Sequence, residues 1–178
     1  MEEIDFSTPV DLSQFTAKAI HRQLARFADW LERQSGQPGH YEEYIVRSGK
    51  NAFEIEHIWA NHYDRFKHEF DQQSNFNQCR NLIGGLLLLP KKVNASLNDM
   101  TYEKKLPHYL KENPLAQSLH KDFYLHHPGF WKAINKHSLL FHSHESFTKA
   151  DLEERSQLYC QLAALIWSPD RLLNGDEV

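Results

Sequence analysis

Only two cysteines, Cys79 and Cys160, occur in the 178 residues. That is too few for a disulfide framework or a four-ligand structural zinc. Glycine and proline are sparse, at seven each, beside 40% hydrophobic and 25% charged residues. Collagen, low-complexity and disordered classes are thereby excluded. The longest apolar run, Leu86 to Leu89, falls far short of the roughly 18 residues of a membrane helix. The acidic start, Met1-Glu2-Glu3-Ile4-Asp5, lacks the basic and then apolar pattern of a secretory signal. These absences predict a soluble, cytoplasmic protein with no membrane contact. An excess of positive charge is missing too. The net charge is −4 with histidine neutral, which excludes a non-specific nucleic-acid coat protein. Any contact with nucleic acid must come from a local patch.

The length suits one globular unit, read as an N-terminal helical segment over 1–40 packed on a domain over 41–178. A long amphipathic helix is expected from Asp11, with Gln14 completing a capping box. Ile20, Leu24, Phe27 and Leu31 recur along it at helical spacing, and Gly36, Pro38 and Gly39 end it. After a turn at Ser48-Gly49-Lys50-Asn51, the run from Phe53 to Ile58 alternates apolar and polar as a strand does. The polar stretch from Asn61 to Gln73 reads as helix, and Gly84 to Pro90 as a second, buried strand pairing with the first. Thr101 to Asn113 reads as a helix carrying Pro107. A last helix starts at Thr148, with Asp151 as capping partner. The expected class is α+β, mostly helical, with one small antiparallel hairpin.

The informative stretch is Phe53 to Lys105. It holds Glu56-His57 at a strand end, the leucine strand, Asn94 just beyond Pro90, and Tyr102-Glu103-Lys104-Lys105. A carboxylate and a neutral oxygen ligand suit a hard cation such as Mg²⁺, or Mn²⁺, that keeps several waters. An unmetallated histidine beside them suits proton transfer from water. Successive strand side chains face opposite ways, so Glu56 and His57 can share a site only where the strand ends or bends. Between Arg80 and Lys105 stand five basic and two acidic residues. That local excess can hold a phosphate backbone without reading sequence. Its candidates are Arg80, Lys91, Lys92, Lys104 and Lys105.

These motifs, in this order, resemble the DUF1524 family of HNH (His-Me finger) nucleases. The family pattern is Glu-His-Ile, a Gly-Asn-Leu-x-Leu-Leu strand, an Asn a few residues on, and aromatic-x-x-Lys. The resemblance covers roughly residues 41 to 168. It implies a ββα-metal core, cleavage of double-stranded DNA, His57 as general base, Glu56 and Asn94 as metal ligands, and Lys105 or Lys104 on phosphate. Such domains often follow a DUF262 region in modification-dependent restriction and phage-defence proteins. Where the family has the Asn that fixes the base-bearing loop, this chain has Gly85; Asn81 is the candidate substitute. Gly85 also motivates a competing class, a degenerate HNH-like module that binds nucleic acid or protein without cutting. In a third class, a helical interaction domain, Glu56-His57 is surface decoration. His142-x-His144 has strand spacing for two metal ligands, although isolated pairs of this kind are usually incidental.

Overall fold

The computed structural model describes residues 11–13 and 16–168. Over these the chain is mostly helical with one two-stranded sheet. Strands β1 (Phe53–His57) and β2 (Leu86–Pro90) pair antiparallel, with Glu56 opposite Leu87 and His57 opposite Leu86. Leu86 to Leu89 are fully buried, so the unbroken apolar run of β2 reflects cover on both faces. Helix α1 (Ala17–Gln34) lays Ile20, Leu24, Phe27 and Leu31 into the core. It packs against β2 and against α2 (Tyr41–Tyr44), α6 (Pro114–Gln117), α8 (Pro128–Lys136) and α9 (Lys149–Ile166).

Two helical expectations are corrected. Helix α1 begins at Ala17, not at Asp11. Asp11 instead forms an isolated bridge with Leu82, and Thr16 Oγ1 donates to the Asp11 carbonyl at 2.8 Å. Gln14 lies outside the described residues. The stretch 61–73 holds only a 3-10 turn at Tyr63–Phe66, and the helix there, α3, spans Gln73–Arg80. The aromatics of this segment decide the matter. Phe66, Phe70 and Phe76 ring Trp59 at centroid distances of 4.6, 5.8 and 6.0 Å. The chain has to wrap around the indole, which a straight helix through 61–73 would not do.

The helix expected over Thr101 to Asn113 ends at Tyr109, and Gly84-Gly85 form a 3-10 turn ahead of the second strand; other local readings match the structure. Gly36 and Gly49 take φ of 80° and 83° in the expected turns, a region that L side chains avoid. Helix α9 opens with a full capping box. The Asp151 N–H donates to Thr148 Oγ1, and the Thr148 N–H donates to Asp151 Oδ2 at 2.7 Å. Helices α4 (Lys91–Leu97) and α5 (Tyr102–Tyr109) follow β2. A 3-10 turn at Ile83–Gly85 leads into β2 and presses on α9. A Cβ on Gly84 would lie 2.3 Å from the Leu152 carbonyl oxygen and 2.4 Å from the Ser156 nitrogen. Only glycine permits that approach.

The fold makes a pH prediction through His144, which is buried against α9 and paired with Asp151 at 3.2 Å. Burial, then Arg155 and His142, push its pKa down to about 4 against the pull of Asp151. Above pH 6.5 the imidazole is neutral in both folded and unfolded chains, and its contribution is complete. Between 6.5 and about 4 only the unfolded chain takes up this proton, so stability falls as pH falls, by up to about 1.4 kcal/mol per unit. Urea melts from pH 7 to pH 4 should show a shallower decline for His144→Gln than for the parent.

Candidate active site

Strand β1 ends at His57, and the chain then turns away through a set of side-chain anchors. The Lys105 ammonium is 1% exposed and reaches in from α5. It donates to Glu56 Oε1 at 2.6 Å, to the His57 carbonyl at 2.8 Å and to the Ile58 carbonyl at 3.4 Å. Arg80 Nε donates to the Trp59 carbonyl at 2.8 Å, and Trp59 Nε1 to the Phe147 carbonyl at 2.8 Å. The turn lets neighbouring residues of opposite strand faces, Glu56 and His57, line one cavity with Arg80, Asn94 and Lys105.

His57 Nε2 lies 3.0 Å from Asn81 Oδ1. An amide oxygen only accepts, so the contact fixes the Nε2–H tautomer and leaves the Nδ1 lone pair as the basic atom. Burial pushes the His57 pKa down to about 4, helped by the charges of Arg80 and Lys105 and opposed by the Asn81 bond. The ring is therefore neutral at pH 7, the state a proton acceptor needs. Asn81 is the residue just after α3. It is also tied through its backbone, because its carbonyl accepts from the Leu12 N–H at 2.7 Å.

Asn94 sits on α4, directly after β2, and donates through Nδ2 to Glu54 Oε2 at 3.0 Å. Its Oδ1, the atom a cation requires, is the end left over. Glu56 is likewise used on one side only, since Lys105 and Tyr109 both donate to Oε1, the latter at 3.1 Å. One carboxylate oxygen and one amide oxygen make a hard, sparse donor set. It fits an ion that keeps most of its own water and not a closed zinc site. Among the described residues, no group of three or more His, Cys, Asp or Glu side chains could hold a metal.

The lysines divide differently from expectation. Lys105 is not a surface phosphate contact; its ammonium is consumed by Glu56 and two carbonyls. Burial lowers its pKa and raises that of Glu56, and each charge opposes the shift of the other. Lys104 is exposed and does not line the cavity. Lys91 and Lys92 line a separate depression beside Lys50 and Pro90. Of the basic candidates, Arg80 alone lines the cavity with terminal nitrogens that no hydrogen bond takes among the described residues. Sequence reasoning gave no site role to Tyr109, fully buried on Glu56, or to Asn61, Asn98 and Asp99, which also line the cavity. His142 and His144 pair with Glu154 and Asp151 respectively.

Gly85 has a packing reason. A Cβ there would meet Leu152 Cδ1 at 2.9 Å and the Arg80 carbonyl at 3.3 Å, while the Gly85 carbonyl accepts from the Ile58 N–H at 2.9 Å. A side chain at 85 would have to displace the tip of Leu152 on α9, and it is Asn81, just after α3, that contacts the imidazole.

A family model, the C-terminal domain of the GmrSD restriction endonucleases, matches residues 11–162. The chain belongs to this family of restriction endonucleases. Membership makes it nuclease-class and implies DNA as its substrate. No curated protein and no solved structure matches the chain. No helix of the described residues is long and apolar enough to cross a membrane.

The Glu56–Lys105 pair predicts an asymmetric mutational response. Lys105→Met leaves a buried carboxylate without its partner and should cost about 3–5 kcal/mol in urea unfolding. The double variant Lys105→Met/Glu56→Leu should recover most of that loss. Equal losses in the single and double variants would contradict the pairing.

Proposed function

We propose that this chain is an HNH-type, ββα-metal endonuclease domain that nicks double-stranded DNA with one divalent ion. The observation that carries the reading is the succession β1–β2–α4, which lines one cavity with Glu56, His57 and Asn94. Glu56 and Asn94 would hold Mg²⁺ or Mn²⁺, which when bound supplies charge stabilisation to the phosphate and the leaving oxygen. His57 Nδ1 takes a proton from the attacking water, and Asn81 keeps the ring in the tautomer that can do so. The guanidinium of Arg80 binds a non-bridging phosphate oxygen. Lys105 acts through Glu56, holding the carboxylate and the turn after His57 in place. Lys91, Lys92 and Lys104, outside the cavity, contribute at most to the outer phosphate backbone. One such centre cuts one strand per event.

In its cellular setting we propose a cytoplasmic restriction or anti-phage defence protein, with a DUF262 region upstream supplying nucleotide-dependent control. Gly85 favours a second reading, a module that binds DNA without cutting it. The Asn81–His57 contact weighs against that reading, because it fixes the base without a side chain at 85.

The test is nicking of supercoiled plasmid in Mg²⁺ and in Mn²⁺. The parent chain should nick in either metal and stop in EDTA. His57→Ala should lose on the order of 10²- to 10⁴-fold in rate, and Asn94→Ala should lose a comparable factor. DNA binding without nicking in both metals would move the assignment to the binding module. Equal nicking by His57→Ala would remove the imidazole from the chemistry.

A further inference from the structure

A second cavity, of about 470 Å³, lies against α1 and is lined by Ser13, His21, Arg47, Glu54, Ile55 and Asn81 among others. It adjoins the candidate active site. Ile55 lines both cavities, and Asn81, in the wall of this one, accepts the hydrogen bond from His57 in the other. From His57 back to Phe53, also in its wall, is four residues of extended strand, about 13 Å. The two cavities therefore run on from one another along β1.

The wall offers an anion one cation unpaired among the described residues, Arg47. Arg47 is exposed, and among the described residues no carboxylate pairs with it and no acceptor takes its N–H groups. Among the described residues the only acidic group in the wall, Glu54, is already engaged by Asn94 Nδ2 at 3.0 Å and by Lys91 at 3.7 Å. His21 is 2% exposed. Its Nε2 donates to the Phe53 carbonyl at 3.0 Å, and its Nδ1 is buried with no partner. With Nε2 carrying the proton, Nδ1 is an unpaired acceptor enclosed behind the cavity wall. Burial lowers the pKa of this ring, and Arg47 and Arg22 act on it in the same direction.

Resting on the endonuclease reading above, we propose that this cavity is the flanking-nucleotide subsite. It takes the nucleotide of the cut strand next to the scissile phosphate, with its phosphodiester group on the Arg47 guanidinium. Arg80 and Arg47 then bracket His57 along β1, and the strand is held on both sides of the bond to be cut. This subsite gives the chain a phosphate contact that lies on the groove, which Lys91, Lys92 and Lys104 do not.

The experiment measures binding of a fluorescent 20-base-pair duplex of mixed sequence to the full chain, without divalent metal, between 50 and 200 mM salt. The proteins are His57→Ala, His57→Ala/Arg47→Ala and His57→Ala/Lys132→Ala, where Lys132 is an exposed residue of α8. Arg47→Ala should raise Kd several-fold and make the slope of log K against log salt shallower by about one phosphate contact. Lys132→Ala should leave both unchanged. In the otherwise wild-type chain, Arg47→Ala should raise KM for plasmid nicking and leave kcat within about twofold. An unchanged Kd and salt slope in Arg47→Ala overturns the subsite. If nicking by the parent still depends on His57 in that case, the endonuclease reading stands without it. A duplex bound by none of the three proteins overturns the subsite and the DNA-cleaving function together.

Discussion

The buried ammonium of Lys105 is the constraint on which the rest of the site depends. A regular strand would send the Glu56 and His57 side chains to opposite faces. Three hydrogen bonds from one nitrogen, to Glu56 Oε1 and to the carbonyls of residues 57 and 58, hold the chain in the turn that brings both to one cavity. A charge in that position is stable only with its partner in place. The partner is the carboxylate proposed to hold the metal, and Tyr109 donates to the same oxygen. Lys105 and Tyr109 thus fix one end of Glu56 and leave the other to a ligand.

Around this centre the fold supplies rigidity from two sides. On one, Phe66, Phe70, Phe76 and Phe147 pack about Trp59, whose carbonyl takes Arg80. On the other, α9 lies so close to Gly84 and Gly85 that no side chain fits there without displacement. With only a hydrogen at position 85, the imidazole is contacted by Asn81, just after α3, a residue anchored to Leu12 through its own carbonyl.

Much of this was legible in the sequence, and what was not has identifiable causes. The hairpin could be read because Phe53 to Ile58 alternates and Leu86 to Leu89 does not, the marks of a half-buried strand beside a fully buried one. The α9 cap could be read because Thr148 and Asp151 act within one turn. Asp11 misled, because a local capping pattern competed with a bridge to Leu82, seventy-one residues away. The segment 61–73 misled because its shape follows Trp59 and not its own periodicity. The resemblance put Lys105 on phosphate, and only the fold shows that a buried carboxylate holds it. The cavity against α1 is assembled from four separate stretches of chain, so no local motif announces it.

The account turns on Glu56, His57 and Asn94 forming a single cation-dependent site. The most direct measurement is Mn²⁺ titration of the intact chain, followed by paramagnetic broadening of the imidazole ring signals in the NMR spectrum, with His57→Ala to assign the resonance. Of the twelve histidines, His57 should broaden first, and the effect should be lost in Asn94→Ala. Earlier broadening of another histidine, such as the His142 and His144 pair, with His57 unaffected, would contradict it.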